Sequence, residues 1–174
     1  MQNKLLAAIA FAAHKHRDQR RKDAAASPYI NHPISLANVL ANEGRVDDER
    51  VLIAAILHDT IEDTETTDQE LVREFGQEIA TIVMEVTDDK VLPKAERKQR
   101  QIDHAATISR RAKLVKLADK ICNLRDVADS PPASWSLQRR QEYFDWAKAV
   151  IDGLRGVHPA LEHIFDEAYK ARPV

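Results

Sequence analysis

Three features of the sequence predict an all-α fold for this chain of 174 residues. Apolar residues recur at helical spacing along most of the chain, and no stretch alternates apolar and polar residues long enough to indicate a strand. The chain has only four glycines, whereas good helix formers such as alanine, leucine, glutamate and lysine are abundant. Capping and stop signals separate the periodic segments. We therefore expect a compact single domain over residues 1–174, without linkers or internal repeats.

The first two helices are predicted from an apolar stripe and a proline. The stripe begins at Leu5 and continues through Ile9 at helical spacing. Pro33 suits the first position of the second helix and is expected to hold His32 in an extended conformation just before it. Gly44 is a natural stop for that helix.

The next two helices carry capping residues. Asp47 or Asp48 can cap a helix whose body, residues 51–57, is apolar all round and is therefore expected to be central and buried. Thr67 and Glu70 have the spacing of a capping box. The remaining helices are predicted at residues 79–86, from Pro93 toward 108, from Ser109, and around 143–154 and 159–171.

Composition argues against several classes of protein. The net charge is −2 and the pI is about 6.4, whereas proteins that bind nucleic acid polymers are usually strongly basic. No apolar run reaches the length of a membrane span, and the N-terminus lacks the features of a signal peptide. The single cysteine, Cys122, excludes an intrachain disulfide. We expect a cytoplasmic protein without a membrane or nucleic acid partner.

Four ionisable residues follow the apolar helix at 51–57. They are His58, Asp59, Glu62 and Asp63. If the helix continued through them, Glu62 would lie one turn after His58, and Asp63 one turn after Asp59. Buried carboxylates are costly unless a cation neutralises them, and the C-terminal end of a helix disfavours negative charge. A divalent cation would resolve both problems.

Two further residues complete a candidate metal site. Asp119 lies at the edge of an apolar helix face, and His32 precedes Pro33. Together with His58 and Asp59 they offer two imidazoles and two carboxylates, a ligand set that suits Mn, Fe, Zn or Ni. A bound metal can lower the pKa of a water ligand, and the acids at positions 62 and 63 are then placed for proton transfer.

With these histidines and aspartates in this order, the sequence resembles the HD-domain superfamily. More specifically, it is similar to the hydrolase domain of the RelA/SpoT family and to stand-alone small alarmone hydrolases of the metazoan SpoT homologue type. The similar segments occur in the same order over nearly the whole chain, at residues 16–23, 28–34, 57–64, 85–90, 113–120, 123–126 and 142–144. We expect neither the synthetase domain nor the regulatory domains of the long RelA/SpoT proteins.

The resemblance implies an activity and a set of site residues. It implies an all-helical domain that binds one Mn²⁺ and removes the 3′-pyrophosphate of ppGpp or pppGpp, giving GDP or GTP and pyrophosphate, by metal-activated water. It implies metal ligands at His32, His58, Asp59 and Asp119. It implies a catalytic pair, Glu62 and Asp63, and substrate contacts at Arg21, Lys22, Asn123 and Tyr143.

Alternatives remain open. The basic residues of segment 17–22 can grip a phosphate, but by themselves they are more typical of a solvated surface. Another nucleotide is a possible substrate, such as NADPH losing its 2′-phosphate. A third alternative is a helical binding module without catalysis, which the loss of a metal ligand or of an acid would support, and none is lost. The oligomeric state is left open by the sequence.

Overall fold

Within residues 3–174, the part of the chain that this computed structural model describes, the backbone is helical with no strand. The all-α prediction is confirmed. In chain order the helices are α1 Lys4–Lys15, α2 Asn31–Asn38 with a π-helical turn Val39–Glu43, α3 Glu49–Leu57, α4 Thr60–Asp63, α5 Asp68–Phe75, α6 Gln77–Val86, α7 Lys94–His104, α8 Arg110–Asp129, α9 Leu137–Asp152 and α10 Pro159–Tyr169. None of these helices combines the length and apolar character that a membrane crossing requires.

Helices α3 and α8 form the centre of the molecule. Helix α3 packs against α1, α2, α6 and α8, while α8 also packs against α2, α6, α9 and α10. The prediction that the apolar helix at 51–57 is central is therefore confirmed, because nearly all of its side chains are buried. Helix α8 is likewise surrounded, and its buried positions include two lysines, Lys116 and Lys120.

The predicted capping residues lie where the sequence places them. The Asp48 side chain accepts from the backbone N–H of Arg50 at the start of α3, and Ser109 caps α8. Thr67 caps α5 by accepting from the N–H of Glu70. The Glu70 side chain, however, pairs with Lys15 on α1 at 3.1 Å, so a tertiary contact replaces the second half of the capping box.

Two local predictions are wrong. Helix α2 begins at Asn31, so His32 lies in its first turn rather than in an extended segment before Pro33. The first turn of a helix tolerates a proline at any position whose N–H has no helical partner, which explains why Pro33 does not mark the start. The helix predicted from Pro93 toward residue 108 ends at His104.

The segment between α1 and α2 forms an ordered loop. An antiparallel backbone bridge joins Arg20 and Pro28 within it. The Asp23 side chain accepts from both the N–H and the hydroxyl of Ser27. Ala26 has a φ of 47°, a conformation that glycine adopts more easily than alanine. This loop places the basic residues of segment 17–22 beside the start of α2.

Candidate active site

His58 ends α3 with its ring fixed in one orientation. Its Nδ1–H donates to the backbone oxygen of Ala55 at 2.8 Å, so Nε2 carries the free lone pair of the neutral ring. That Nε2 atom is buried and has no hydrogen-bond partner among the described residues. It lies 2.9 Å from Oδ2 of Asp59. A nitrogen lone pair and a carboxylate at this distance repel each other unless a proton or a metal ion lies between them.

The other two candidate ligands approach from different helices. His32 on α2 places Nε2 3.1 Å from Oδ1 of Asp119 on α8. The same carboxylate oxygen lies 3.8 Å from Nε2 of His58. One ligand atom from each of His32, His58 and Asp59 lies within 4.8 Å of the others. Adjacent ligands at the usual distance of about 2.1 Å from a metal lie about 3 Å apart, so the observed spacings fit a divalent ion.

The electrostatics of this cluster also favour a cation. Burial alone would lower the pKa of His58, but the carboxylates of Asp59 and Asp119 outweigh it and raise that pKa to about 9. The surroundings therefore stabilise a positive charge beside the imidazole. A divalent ion can take the place of the proton, since metal binding and protonation compete for the same lone pair.

The chain between α3 and α4 does not continue as one helix. His58 and Asp59 form a break, and α4 begins at Thr60. The Thr60 hydroxyl donates to the backbone oxygen of Leu57 at 2.7 Å. The break lets His58 and Asp59 face one point, while the short α4 carries Glu62 and Asp63 next to it.

The two acids of α4 are held differently. Glu62 accepts from the backbone N–H of Asp88 at 2.7 Å. Burial, reinforced by the charge of Asp59, raises the pKa of Glu62 to about 7. Asp63 accepts from the side-chain amide of Gln19 at 3.2 Å and pairs with Lys90. Glu62 is therefore the acid whose charge is least stabilised, which is typical of a group that exchanges protons near neutral pH.

The predicted substrate contacts surround the same space. The Asn123 side chain donates to Oδ1 of Asp119 at 2.8 Å, which also orients that carboxylate. Arg21 pairs with Asp126. Burial raises the pKa of Tyr143 to about 12, so its hydroxyl can act as a hydrogen-bond donor. All ten predicted residues line one cavity of about 370 Å³: Arg21, Lys22, His32, His58, Asp59, Glu62, Asp63, Asp119, Asn123 and Tyr143.

The structure also brings residues to this cavity that sequence reasoning missed. The Tyr29 hydroxyl donates to Asp59, and Nζ of Lys120 lies 3.0 Å from Oδ2 of Asp119. Asp88, Gln101 and Lys116 line the cavity as well. Lys116 and Lys120 are two cations one turn apart that lie, unusually for lysines, among the buried positions of α8. Tyr29 and Asp88 lie in segments that resemble the family, but their contacts at the cavity, like those of Gln101, follow only from the fold.

A second, basic pocket adjoins the first across Tyr143. It has a volume of about 330 Å³ and is lined by Lys94, Lys98, Trp135 and Arg139. Burial, together with the neighbouring charges of Arg139 and Lys22, lowers the pKa of Lys94. Cations that repel one another in this way gain from an anion placed between them.

Comparison with known proteins identifies the family. The family model described as HD domain matches residues 8–145. This chain belongs to the HD-domain family. Its HD-domain relatives include a protein of Danio rerio named guanosine-3′,5′-bis(diphosphate) 3′-pyrophosphohydrolase MESH1, which is 54% identical over 98% of this chain and 94% of its own length. The Homo sapiens protein of the same name is 52% identical over 97% of this chain and 94% of its own length.

A solved HD-domain structure has the same fold. It is described as a metazoan orthologue of SpoT that hydrolyses ppGpp, and it is 47% identical to this chain. The TM-score is 0.95, with 99% of this chain and 97% of that chain covered.

Proposed function

We propose that this chain hydrolyses the 3′-pyrophosphate of ppGpp and pppGpp to give GDP or GTP and pyrophosphate. The observation that carries the proposal is the placement of a metal-ligand cluster, two acids and a group of cations around one cavity. Relatives that match almost the whole chain are named for this reaction. A substrate with pyrophosphate groups at two positions needs two anion-binding regions, and the basic pocket beyond Tyr143 offers the second.

We propose Mn²⁺ as the cofactor, one ion per chain, held by His32, His58, Asp59 and Asp119. The donor set of two imidazoles and two carboxylates suits this ion. When bound, such an ion lowers the pKa of a water ligand and balances the charge of the phosphate oxygens. Such an ion would also give a partner to the buried Nε2 of His58, which has no hydrogen bond among the described residues.

We assign proton transfer, orientation of the water and binding of the nucleotide to side chains of the chain. Glu62 accepts a proton from the attacking water, because its carboxyl titrates near neutral pH and lies in the cavity. Asp63 orients that water, since its own charge is already balanced by Lys90. Arg21 and Lys22 hold the nucleotide through its phosphates or base. Tyr143 stands between the two pockets and can donate to the substrate.

The first test is an assay of the purified protein with ppGpp and, separately, with NADPH, each with Mn²⁺ or with a chelator. We expect manganese-dependent pyrophosphate from ppGpp. Phosphate from NADPH without pyrophosphate from ppGpp would replace the proposed substrate by the 2′-phosphate of NADPH while keeping the metal site. No product from either nucleotide would contradict the proposal of a phosphohydrolase and favour a binding module.

Attack of water on the 3′-phosphorus makes a specific prediction about the products. The bond between that phosphorus and the ribose 3′-oxygen breaks, so the oxygen of water enters pyrophosphate and the 3′-oxygen stays on the nucleotide. Hydrolysis in ¹⁸O-labelled water should therefore label pyrophosphate alone, as measured by mass spectrometry. Label in the 3′-hydroxyl of GDP would show attack on carbon and contradict the mechanism.

A further inference from the structure

The connection between α6 and α7 touches both acids of α4. We call residues 87–93 the α6–α7 loop. Its Asp88 donates a backbone N–H to Oε1 of Glu62 at 2.7 Å, and its Lys90 pairs with Asp63. For Glu62, the Asp88 N–H is the one hydrogen-bond donor found among the described residues. The orientation of Glu62 therefore depends on the position of the loop backbone.

Side chains from α7 and α8 hold this loop in place. The side-chain amide of Gln101 on α7 donates to Oδ2 of Asp88 at 2.6 Å. Lys116 on α8 points its Nζ at the backbone oxygen of Val86, 3.4 Å away, where α6 ends. Of these two contacts, only the one from Gln101 reaches the residue that binds Glu62. The contact from Gln101, at 2.6 Å, is also shorter than the contact from Lys116, at 3.4 Å.

We propose that Gln101 is a positioning residue for Glu62. Its amide holds the side chain of Asp88, and the backbone of Asp88 in turn orients the Glu62 carboxylate. This inference rests on the proposed function for the role of Glu62. A displacement of about 1 Å at a reacting group can lower turnover about 100-fold, so a residue that never touches the reacting atoms can control the rate.

The chemistry of the Gln101–Asp88 pair allows a sharp test. An ionised carboxylate only accepts hydrogen bonds, whereas an amide both donates and accepts. Gln101→Glu sets two carboxylates against each other and should displace the loop. Asp88→Asn keeps an acceptor for Gln101 but removes one of the charges that act on Glu62, so it serves as the single-variant reference for the double variant. The double variant, Asp88→Asn with Gln101→Glu, rebuilds the hydrogen bond with its polarity reversed and keeps the net charge of the wild type.

The kinetic experiment measures kcat and KM of these three variants with ppGpp and Mn²⁺. We expect Gln101→Glu to lower kcat about tenfold or more with KM nearly unchanged, and the double variant to recover most of that loss. Gln99→Glu is the matched control, because Gln99 is an exposed residue of α7 whose side chain, among the residues that the structure describes, bonds to Asp103 alone. A double variant as slow as Gln101→Glu, or a loss confined to KM, would overturn the proposal.

A second measurement is independent of activity. Hydrogen exchange of the Asp88 amide, followed by NMR, reports whether its N–H stays bonded to Glu62. We expect slow exchange in the wild type and in the double variant, and fast exchange in Gln101→Glu. Slow exchange in Gln101→Glu would refute the link. If the wild type fails to hydrolyse ppGpp, the proposed function falls, and the exchange rates still decide whether Gln101 positions the Asp88–Glu62 pair.

Discussion

Glu62 is a carboxylic acid in a place that penalises its charge. Three sources act on it: burial, the carboxylate of Asp59 and the neighbouring acids Asp88 and Asp63. Against them stands the N–H of Asp88, which favours the ionised form. The balance raises the pKa of Glu62 to about 7, the range in which a general base both accepts and releases a proton efficiently.

Replacing this carboxyl by an amide tests its role directly. Glu62→Gln should keep the shape of the cavity and lower kcat for ppGpp by about 10² to 10⁴, because an amide cannot accept the proton of water. Manganese binding, measured by calorimetry, should persist, since Glu62 is not among the proposed ligands. The control is Glu65→Gln, an exposed acid near α4 that pairs with Lys15. Turnover at the wild-type rate in Glu62→Gln would refute the acid–base assignment.

Single residues were predictable where they conflict with their surroundings. His58, Asp59 and Asp119 stand out because charged or polar groups follow or interrupt apolar helices. Tyr29 and Gln101 do not stand out, since a tyrosine or a glutamine is ordinary at either position. Their hydroxyl and amide gain a role only through Asp59 and Asp88, which are distant in sequence. Local pattern cannot carry that information.

Asp48 shows how one side chain serves two helices. It caps α3 by accepting from the N–H of Arg50, and it accepts from Arg111 near the start of α8 at 2.7 Å. Burial alone would raise the pKa of Asp48, but hydrogen bonds from Arg111 and Arg50 outweigh it and hold the pKa below its usual 3.8. The Asp48 carboxylate thus links the start of α3 to the start of α8.

Removing the Asp48 side chain should weaken the protein. We expect Asp48→Ala to lower the free energy of unfolding by about 1–2 kcal/mol, measured by urea denaturation at about pH 7. Because the folded pKa is depressed, the ionic part of this stabilisation is present above the usual value of 3.8 and disappears as the pH falls through the lower, folded value. Asp47→Ala, a change at an exposed neighbour, should cost less than about 0.5 kcal/mol.

Contrary results for Asp48 have a clear meaning. If Asp48→Ala and Asp47→Ala were equally stable, the cap and the ion pair would contribute nothing. Asp48→Asn separates the two contributions, since an asparagine keeps the cap and loses the charge. Its deficit relative to the wild type should shrink as the pH falls below the usual pKa of an aspartate.

Helix boundaries marked by a local cap were predictable. The break after α3, where side chains bond to carbonyl oxygens of the preceding turn, was not. Helices α8, α5 and α3 begin where expected, because each follows an ordinary capping residue: Ser109, Thr67 and Asp48. At the break after α3, the His58 ring and the Thr60 hydroxyl bond back to carbonyl oxygens of α3. Such side chains are compatible with either a continuous or a broken helix, and packing decides between them.

At the scale of the whole molecule, the candidate metal site joins elements that are far apart in sequence. His32 belongs to α2, His58 and Asp59 to the break after α3, and Asp119 to α8. A ligand that binds only the folded state stabilises it by about 2.7 kcal/mol at 100 times its Kd. An ion held by all three elements should therefore stabilise the entire fold.

Thermal unfolding with and without metal checks this coupling. We expect saturating Mn²⁺ to raise the Tm of the chelator-treated protein by about 5–10 °C. Asp119→Ala should abolish the increase, because it removes the ligand contributed by α8. Asp129→Ala changes an exposed aspartate of the same helix and should leave the increase intact. An unchanged Tm shift in Asp119→Ala would exclude Asp119 as a ligand.

The C-terminal helix α10 packs closely against Gly44 through Leu161. The sequence predicts Gly44 as a helix stop, and it does follow the π-helical turn, but its φ of −83° is open to any residue. The reason for glycine lies in α10, since a Cβ at Gly44 would sit 2.7 Å from Cδ2 of the buried Leu161. No local signal could show this, because the two residues meet only in the finished fold.

Because of this close approach, the effect of Gly44→Ala on the free energy of unfolding should depend on the residue at position 161. In the wild type, Gly44→Ala should lower the free energy of unfolding by about 1–3 kcal/mol through overpacking. In a Leu161→Ala background, which is itself less stable by about 2–5 kcal/mol, the same change should be neutral or stabilising by up to about 1 kcal/mol, because alanine restricts the unfolded chain. Urea denaturation of the four proteins measures both effects. Equal costs in the two backgrounds would show that backbone conformation at Gly44, rather than contact with α10, determines the requirement for glycine.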